Sequence, residues 1–127
     1  MKLSSNMEDY LEAFSLCADK NGVARITDVS IMLGVRNPSV VGMVRTLVKA
    51  GYLKHEPYKG VEMTAKGRRA AEDVKKRHAI LSRFLIEIIG VTPKTADLDA
   101  CKMEHTVSRE TLEKLHEYLF KITGKNK

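Results

Sequence analysis

Residues 27–64 read TDVSIMLGVRNPSVVGMVRTLVKAGYLKHEPYKGVEMT, and the punctuation of that stretch decides the fold. Thr27 stands where an N-cap is expected; Val29, Ile31, Met32 and Leu33 follow as a short helix that stops at Gly34. Asn37-Pro38 restarts a helix, an N-cap side chain followed by a proline in the first turn, where its missing N–H costs nothing. Val40, Val41, Met43, Val44, Leu47 and Val48 supply its apolar residues, and Ala50-Gly51 ends it. Two short helices around a Gly-Val-Arg turn make a helix-turn-helix, whose second helix is built to enter a DNA major groove. Tyr52–Glu56 and Gly60–Thr64 read as two short strands around Pro57-Tyr58-Lys59-Gly60, a hairpin with basic residues in and near its loop. Helix-turn-helix followed by a basic hairpin specifies a winged helix.

Working outward, Ser5-Asn6-Met7-Glu8 fits a capping box with Ser5 as N-cap. Met7, Tyr10, Leu11, Phe14 and Ala18 recur at helical spacing, which predicts a first helix to about Lys20, ended by Asn21-Gly22. After Thr64 the helical period returns for about 25 residues. Ala70, Val74, His78, Leu81, Leu85 and Ile88 form one stripe; Arg68, Arg69, Lys75, Lys76 and Arg77 lie largely off it, and Gly90 closes the helix. Thr92-Pro93 opens another helix through Ala96, Ala100 and Met103, and Ser108 caps a last one bearing Leu112, Leu115, Leu119 and Ile122. Residues 124–127 read as a frayed end. The expected fold is mainly α, with six helices and one small hairpin.

The chain has 127 residues, 43% of them hydrophobic, which suits one domain or a domain with a small appendage and is too short for a two-domain enzyme. Eight glycines and three prolines exclude collagen-like and linker-like chains. Phe84–Ile89, the longest apolar stretch, is broken by Glu87 and falls far short of a bilayer span. The first residues run into Glu8 and Asp9 without an apolar signal core, so the expectation is a soluble, cytoplasmic protein with Cys17 and Cys101 as thiols. The net charge is +6. Residues 25–77 hold twelve Lys/Arg against five acids, a local charge of +7, while the rest of the chain is −1. A basic segment coinciding with a winged helix points to double-stranded DNA over a merely solvated face.

The remaining chemistry lies in acids and imidazoles. Asp9 and Glu12 are three apart on the first helix, His78 sits on an apolar stripe, and Cys101, Glu104 and His105 cluster on the fifth helix. Singly, each has an ordinary explanation: a helix-dipole preference, a core histidine, a small buried thiol. Together they are a donor set for a divalent transition metal. His-Glu-x-x-His, Gly-x-Ser-x-Gly and phosphate-loop motifs are missing, and Cys101 beside His105 has no evident orienting third group, so an enzyme is not expected.

With Met7-Glu8-Asp9-Tyr10-Leu11-Glu12, Asn37-Pro38-Ser39-Val40, Lys76-Arg77-His78 and Cys101-Lys102-Met103-Glu104-His105, the chain resembles the diphtheria-toxin-repressor family, in its shorter manganese-transport-regulator branch. The resemblance covers essentially the whole chain. It implies a winged helix-turn-helix DNA-binding domain over residues 1–70 and a helical dimerisation and metal-binding domain over 71–127, linked by a long helix at about 64–89. It also implies a homodimer that represses metal-uptake genes when loaded with Mn(II) or Fe(II). The metal ligands carried over are Asp9, Glu12, His78, Glu104 and His105, with Cys101 in the sixth position, where the manganese branch has Glu and the iron branch Cys. Hard oxygen at Asp9 favours Mn(II), whereas thiolate at Cys101 favours Fe(II), Co(II) or Zn(II); manganese is the preferred reading. Ser82 and Asp97 stand where the iron branch places the Glu and His of an ancillary site. DNA contacts are expected from Arg25, Arg36, Asn37, Pro38, Ser39, Val41, Arg45 and Lys59, with Gly42 replacing a base-reading polar side chain of relatives. Two other classes stay open: a metal-independent winged-helix regulator and a metal-storage or delivery protein.

Overall fold

The structure, a computed structural model, describes residues 3–124 and divides into two compact units between Glu72 and Asp73. Residues 125–127, three of the four expected to fray, lie outside the described residues. The fold is mainly helical with a small sheet, as expected.

Unit one opens with α1 (Ser5–Cys17). Its N-cap is Ser4 and not Ser5: the extended Ser4 accepts a hydrogen bond from the Met7 amide at 3.1 Å. Adjacent serines offer the same cap chemistry, and Leu3, just before the cap, packs on the core. The helix ends at Cys17, short of Lys20, because Asp19 captures the next turn. Its carboxylate accepts from the amides of Asn21 at 2.8 Å and Val23 at 3.0 Å, an alternative to helical bonding.

The helix-turn-helix is α2 (Ile26–Leu33) and α3 (Asn37–Lys49). Arg25 and Arg36 occupy the cap positions without a side-chain capping bond, so Thr27 and Asn37 are first-turn residues, not caps. Each helix starts where the backbone leaves the extended region, at Arg25 (ψ 142°) and Arg36 (ψ 151°), ahead of the polar side chain that marked it in the sequence. Gly34 ends α2 in the left-handed conformation (φ 66°).

The hairpin forms as β2 (Leu53–Glu56) and β3 (Gly60–Met63). A third strand, β1 (Val23–Ala24), pairs with the other side of β3 through Val23–Glu62 and Ala24–Val61. Two residues are too few to show the alternation that betrays a strand, so it is not legible in the sequence. The core joins Leu11 and Phe14 of α1, Val29 of α2, Val40, Val44 and Leu47 of α3, and Leu53 and Val61 of the sheet, all buried.

The helix α4 (Ala65–Arg83) begins against the end of α3. The Thr64 hydroxyl donates to the Gly51 carbonyl at 2.6 Å and accepts from the Gly67 amide at 3.1 Å. Lys66 donates to the Ala50 carbonyl at 3.0 Å, where the α3 dipole is negative, and its ammonium lies 4.5 Å over the Tyr52 ring. Gly67 is buried here, and no larger residue fits, because a Cβ would run into the Tyr52 carbonyl oxygen.

Unit two contains the rest of α4, a π-helical segment Phe84–Ile89, α5 (Pro93–Met103) and α6 (Arg109–Thr123). The sequence predicts one helix to Gly90; instead α-geometry stops at Arg83. Three isoleucines in six residues crowd an α-helical turn, and none of the segment is buried. Arg83 braces it, donating to Glu87 at 2.7 Å and to the Thr123 hydroxyl at 3.1 Å. Ser108 caps α6 by accepting from the Thr111 amide at 3.2 Å, as expected. Leu81, Ala100 and Leu112 centre the core, with Met103 and Leu115 packed on them. Most of the apolar stripe on α6 is thereby spent within the unit, while Tyr118, Phe120 and Ile122 remain exposed. Among the described residues no helix is long and apolar enough to cross a membrane.

Gly67→Ala is expected to destabilise the protein by about 2 kcal/mol or more, because the clash is with backbone and cannot be relieved by a rotamer. Thermal melting followed by circular dichroism checks this; a wild-type melting temperature would mean that the junction relaxes freely.

Candidate metal centre and nucleic-acid interface

On unit one, burial of Val40, Val44 and Leu47 turns the opposite side of α3 outward. Pro38, Ser39, Gly42, Arg45, Thr46 and Lys49 are exposed there, at spacings of three and four. Arg36 and Asn37 are exposed at its N-terminal end, and Val41 is half-buried. Gly42 presents bare backbone, with nothing within 4 Å of a Cβ built on it. Thr46 and Lys49 belong to this face but were not singled out from the sequence; the exposed side of α3 at i+4, i+8 and i+11 from Pro38 was the signal available.

The positive charge of residues 25–77 is not all offered to solvent partners. Lys66 and Arg68 donate to the Ala50 and Met63 carbonyls at 3.0 Å each. Arg25 pairs with Asp28 at 3.2 Å, and Lys59 with Glu56 at 3.3 Å, both on the surface. Such exposed pairs are weak and exchange readily for phosphate.

On unit two, a buried carboxylate organises the acids and imidazoles. Glu104, at the end of α5, has no solvent exposure. Its Oε1 lies 2.7 Å from His78 Nδ1, and His105 Nε2 lies 4.0 Å from its Oε2. The other nitrogen of His78, Nε2, meets the Asp97 carboxylate at 2.8 Å. Arg77, expected off the packed side of α4, turns inward and donates to the Glu104 carbonyl at 2.6 Å. Its long side chain also reaches Asp73, at 3.2 Å, so inward packing and an ion pair are satisfied together.

Burial works against the charged form of His78, but hydrogen bonds to Glu104 and Asp97, with their charges, outweigh it and hold its pKa above the ordinary imidazole value. Stability from this charged ring is therefore complete below the ordinary value and is lost as pH rises through the raised one.

Of the residues expected to bind metal, His78, Glu104 and His105 come together on unit two; Cys101, on α5, is exposed. Asp9 and Glu12 lie on α1 of unit one, half-buried. Among the described residues no group of three or more His, Cys, Asp or Glu side chains is placed to hold a metal ion. The chemistry of the unit-two cluster nevertheless fits a divalent cation, because a buried carboxylate beside two imidazoles calls for positive charge that a proton on His78 otherwise supplies. Asp97 completes the cluster as a carboxylate on the far nitrogen of a candidate ligand histidine, an arrangement that fixes ring orientation and tautomer. The other cysteine, Cys17, packs on the core of unit one, where burial first and the Asp28 charge second push its thiol up, away from reactive thiolate.

Asp97→Asn in metal-free protein should lower the His78 pKa, read from the pH titration of its ring signals by nuclear magnetic resonance. An unchanged curve would mean that the 2.8 Å contact does not persist in solution.

Residues 2–61 match the iron dependent repressor N-terminal DNA binding domain, and residues 64–125 match the iron dependent repressor metal binding and dimerisation domain. An uncharacterized HTH-type transcriptional regulator of Methanocaldococcus jannaschii, MJ0568, is 35% identical over 97% of this chain and 99% of its own length. The transcriptional regulator MntR of Escherichia coli O6:H1 is 39% identical over 84% of this chain and 68% of its own. A manganese-dependent transcriptional repressor solved with manganese shares the fold at TM-score 0.78 and 24% identity, over 89% of this chain and 52% of that one. These relatives are transcriptional regulators and not enzymes. The chain belongs to the iron-dependent repressor family, the diphtheria-toxin-repressor type of metal-dependent transcriptional repressor, on the branch that includes MntR.

Proposed function

We propose that this repressor responds to Mn(II), which acts as corepressor, and that as a homodimer on operator DNA in the cytoplasm it shuts off genes for metal-ion uptake. The observation that carries the metal side is the buried Glu104 carboxylate beside His78 and His105. The proposed ligands are Asp9 and Glu12 in unit one and His78, Cys101, Glu104 and His105 in unit two. Five of the six are oxygen or imidazole donors from Asp, Glu and His on α1, α4 and the end of α5 that suit a hard-to-borderline ion, which favours manganese. The solved neighbour that carries manganese agrees with this choice. Cys101 is the specific feature that supports the second reading, Fe(II) at the same site.

When bound, the ion supplies the positive charge that lets several carboxylates share one site. The chain's part is to bring neutral imidazole and ionised carboxylate donors; His78 gives up its proton to do so, which makes affinity rise with pH through the His78 titration. A ligand set drawn from both units links metal affinity to DNA affinity. Coupling of ~1–3 kcal/mol corresponds to about 5–150-fold in operator affinity. In the proposed interface, the domain over residues 1–70 supplies Arg25, Arg36, Asn37, Pro38, Ser39, Val41, Arg45 and Lys59. Arg and Lys contact phosphates, while Pro38 and Val41 meet thymine methyls. The domain over residues 71–127 supplies the dimer.

Asp9→Ala should abolish the Mn(II)-dependent gain in DNA affinity while leaving the circular dichroism spectrum intact; a retained response removes α1 from the site. Lys59→Ala should weaken binding about equally on all duplexes and reduce the log–log salt slope by ~1. A slope equal to wild type means that the hairpin touches no phosphate. Electron paramagnetic resonance during Mn(II) titration counts the ions: two spin-coupled ions per chain would mark a binuclear Mn(II) site, and failure to bind Mn(II) beside tight Fe(II) binding would favour the iron reading.

A further inference from the structure

Tyr58 stands at the tip of the β2–β3 hairpin with its side chain wholly exposed (108%). Its φ is 67°, and it is the one non-glycine with positive φ among the described residues. The Lys59 amide donates to the Glu56 carbonyl at 3.1 Å, which puts Pro57 and Tyr58 at the centre of a β-turn. Positive φ at the second central position is what Gly or Asn supplies in such turns, and a bulky aromatic there is strained. The ring meets no core, so neither packing nor backbone preference accounts for a tyrosine at this position. Strain kept against the interest of the fold marks a position that serves something outside it.

The surroundings say what that is. The hairpin carries Lys54 and Lys59, and the same unit presents Arg36, Arg45 and Lys49 on and beside the exposed face of α3. A polyanion drawn to these charges meets the hairpin tip as a protruding ring with a hydroxyl at its end. Tyrosine matches a nucleic-acid backbone, since its face packs on the apolar deoxyribose and its hydroxyl donates to a phosphate oxygen.

We infer that Tyr58 is a DNA-contacting residue of the wing, its ring laid against the sugar–phosphate backbone beside the half-site. The inference rests on the operator-binding reading above and adds to it a residue that charge alone does not reveal. A neutral ring releases no counterions, so its contribution is independent of salt and of base sequence, unlike that of Lys59.

The test uses the full Mn(II)-loaded chain and a fluorescein-labelled duplex selected by the wild type from a random pool, with an unrelated duplex beside it. Tyr58→Gly relieves the turn and should melt roughly 2–4 °C above wild type while binding both duplexes roughly tenfold more weakly, at an unchanged salt slope. Tyr58→Asn keeps a residue suited to positive φ and removes the ring, so the same loss of affinity assigns the effect to the ring and not to the turn. Variants that bind as tightly as wild type overturn the assignment. A loss that also lowers the slope by one unit overturns it too, since the missing contact is then a charged one. If the wild type selects no duplex with Mn(II) present, it is the operator-binding reading that falls; if it does and both variants match it, only Tyr58 is withdrawn.

Discussion

A carboxylate sealed from water must be matched by positive charge and hydrogen-bond donors, and Glu104 imposes that requirement on unit two. His78 reaches it from α4, Arg77 fixes the backbone that carries it, and His105 follows it in sequence. Removing any partner would leave a buried charge poorly compensated, which costs far more than an exposed ion pair contributes. The packing of α4 against the end of α5 is therefore tied to the electrostatics of one side chain, and the same side chain is the centre of the proposed metal chemistry. On that proposal, stability and ligand response are coupled through Glu104.

The DNA-binding unit follows a different rule, in which backbone carbonyls dictate the disposition of cations. Lys66 and Arg68 serve the end of α3 and the end of β3, holding the start of α4 in place. What the exposed face of α3 retains is a smaller set of cations around uncharged residues and one glycine. As the proposed DNA face, it would give electrostatic attraction without many base-edge hydrogen bonds, so more of its discrimination would come from apolar contact and from the shape of the duplex.

The order of elements was legible because each boundary carried its own chemistry: Gly34 and Gly51 as stops, Pro38 as a first-turn residue, Ser108 as a cap. Caps were misplaced where adjacent residues competed for one task, as at Ser4 and Ser5, and where the backbone turned helical ahead of the polar side chain, as at Thr27 and Asn37. β1 escaped because two residues carry no period, and the π-helical segment because apolar spacing does not report which hydrogen-bond ladder the backbone adopts. For the candidate site, residue types were readable but their partners were not. That Asp97 faces His78 and Arg77 holds Glu104 depends on how α4 and α5 meet, and helical spacing alone put Arg77 off the packed stripe. Tyr58 was hidden for a further reason, since an aromatic in a hairpin loop reads as turn filler until its dihedral angle is known.

Gly42 has a consequence on a longer timescale. It sits on the exposed side of α3 with open space where a side chain would grow, and an alanine there is favoured over glycine by up to ~1 kcal/mol in a helix interior. The surroundings thus leave room for a side chain to begin at this position, and most residues other than proline would make the helix firmer. On the proposed interface, a single codon here would change the surface offered to DNA without disturbing the core beneath. If α3 enters the groove as proposed, duplicated copies of such a gene would have a direct route to separate operators, since position 42 is open to variation while Val40, Val44 and Leu47 stay fixed in the core.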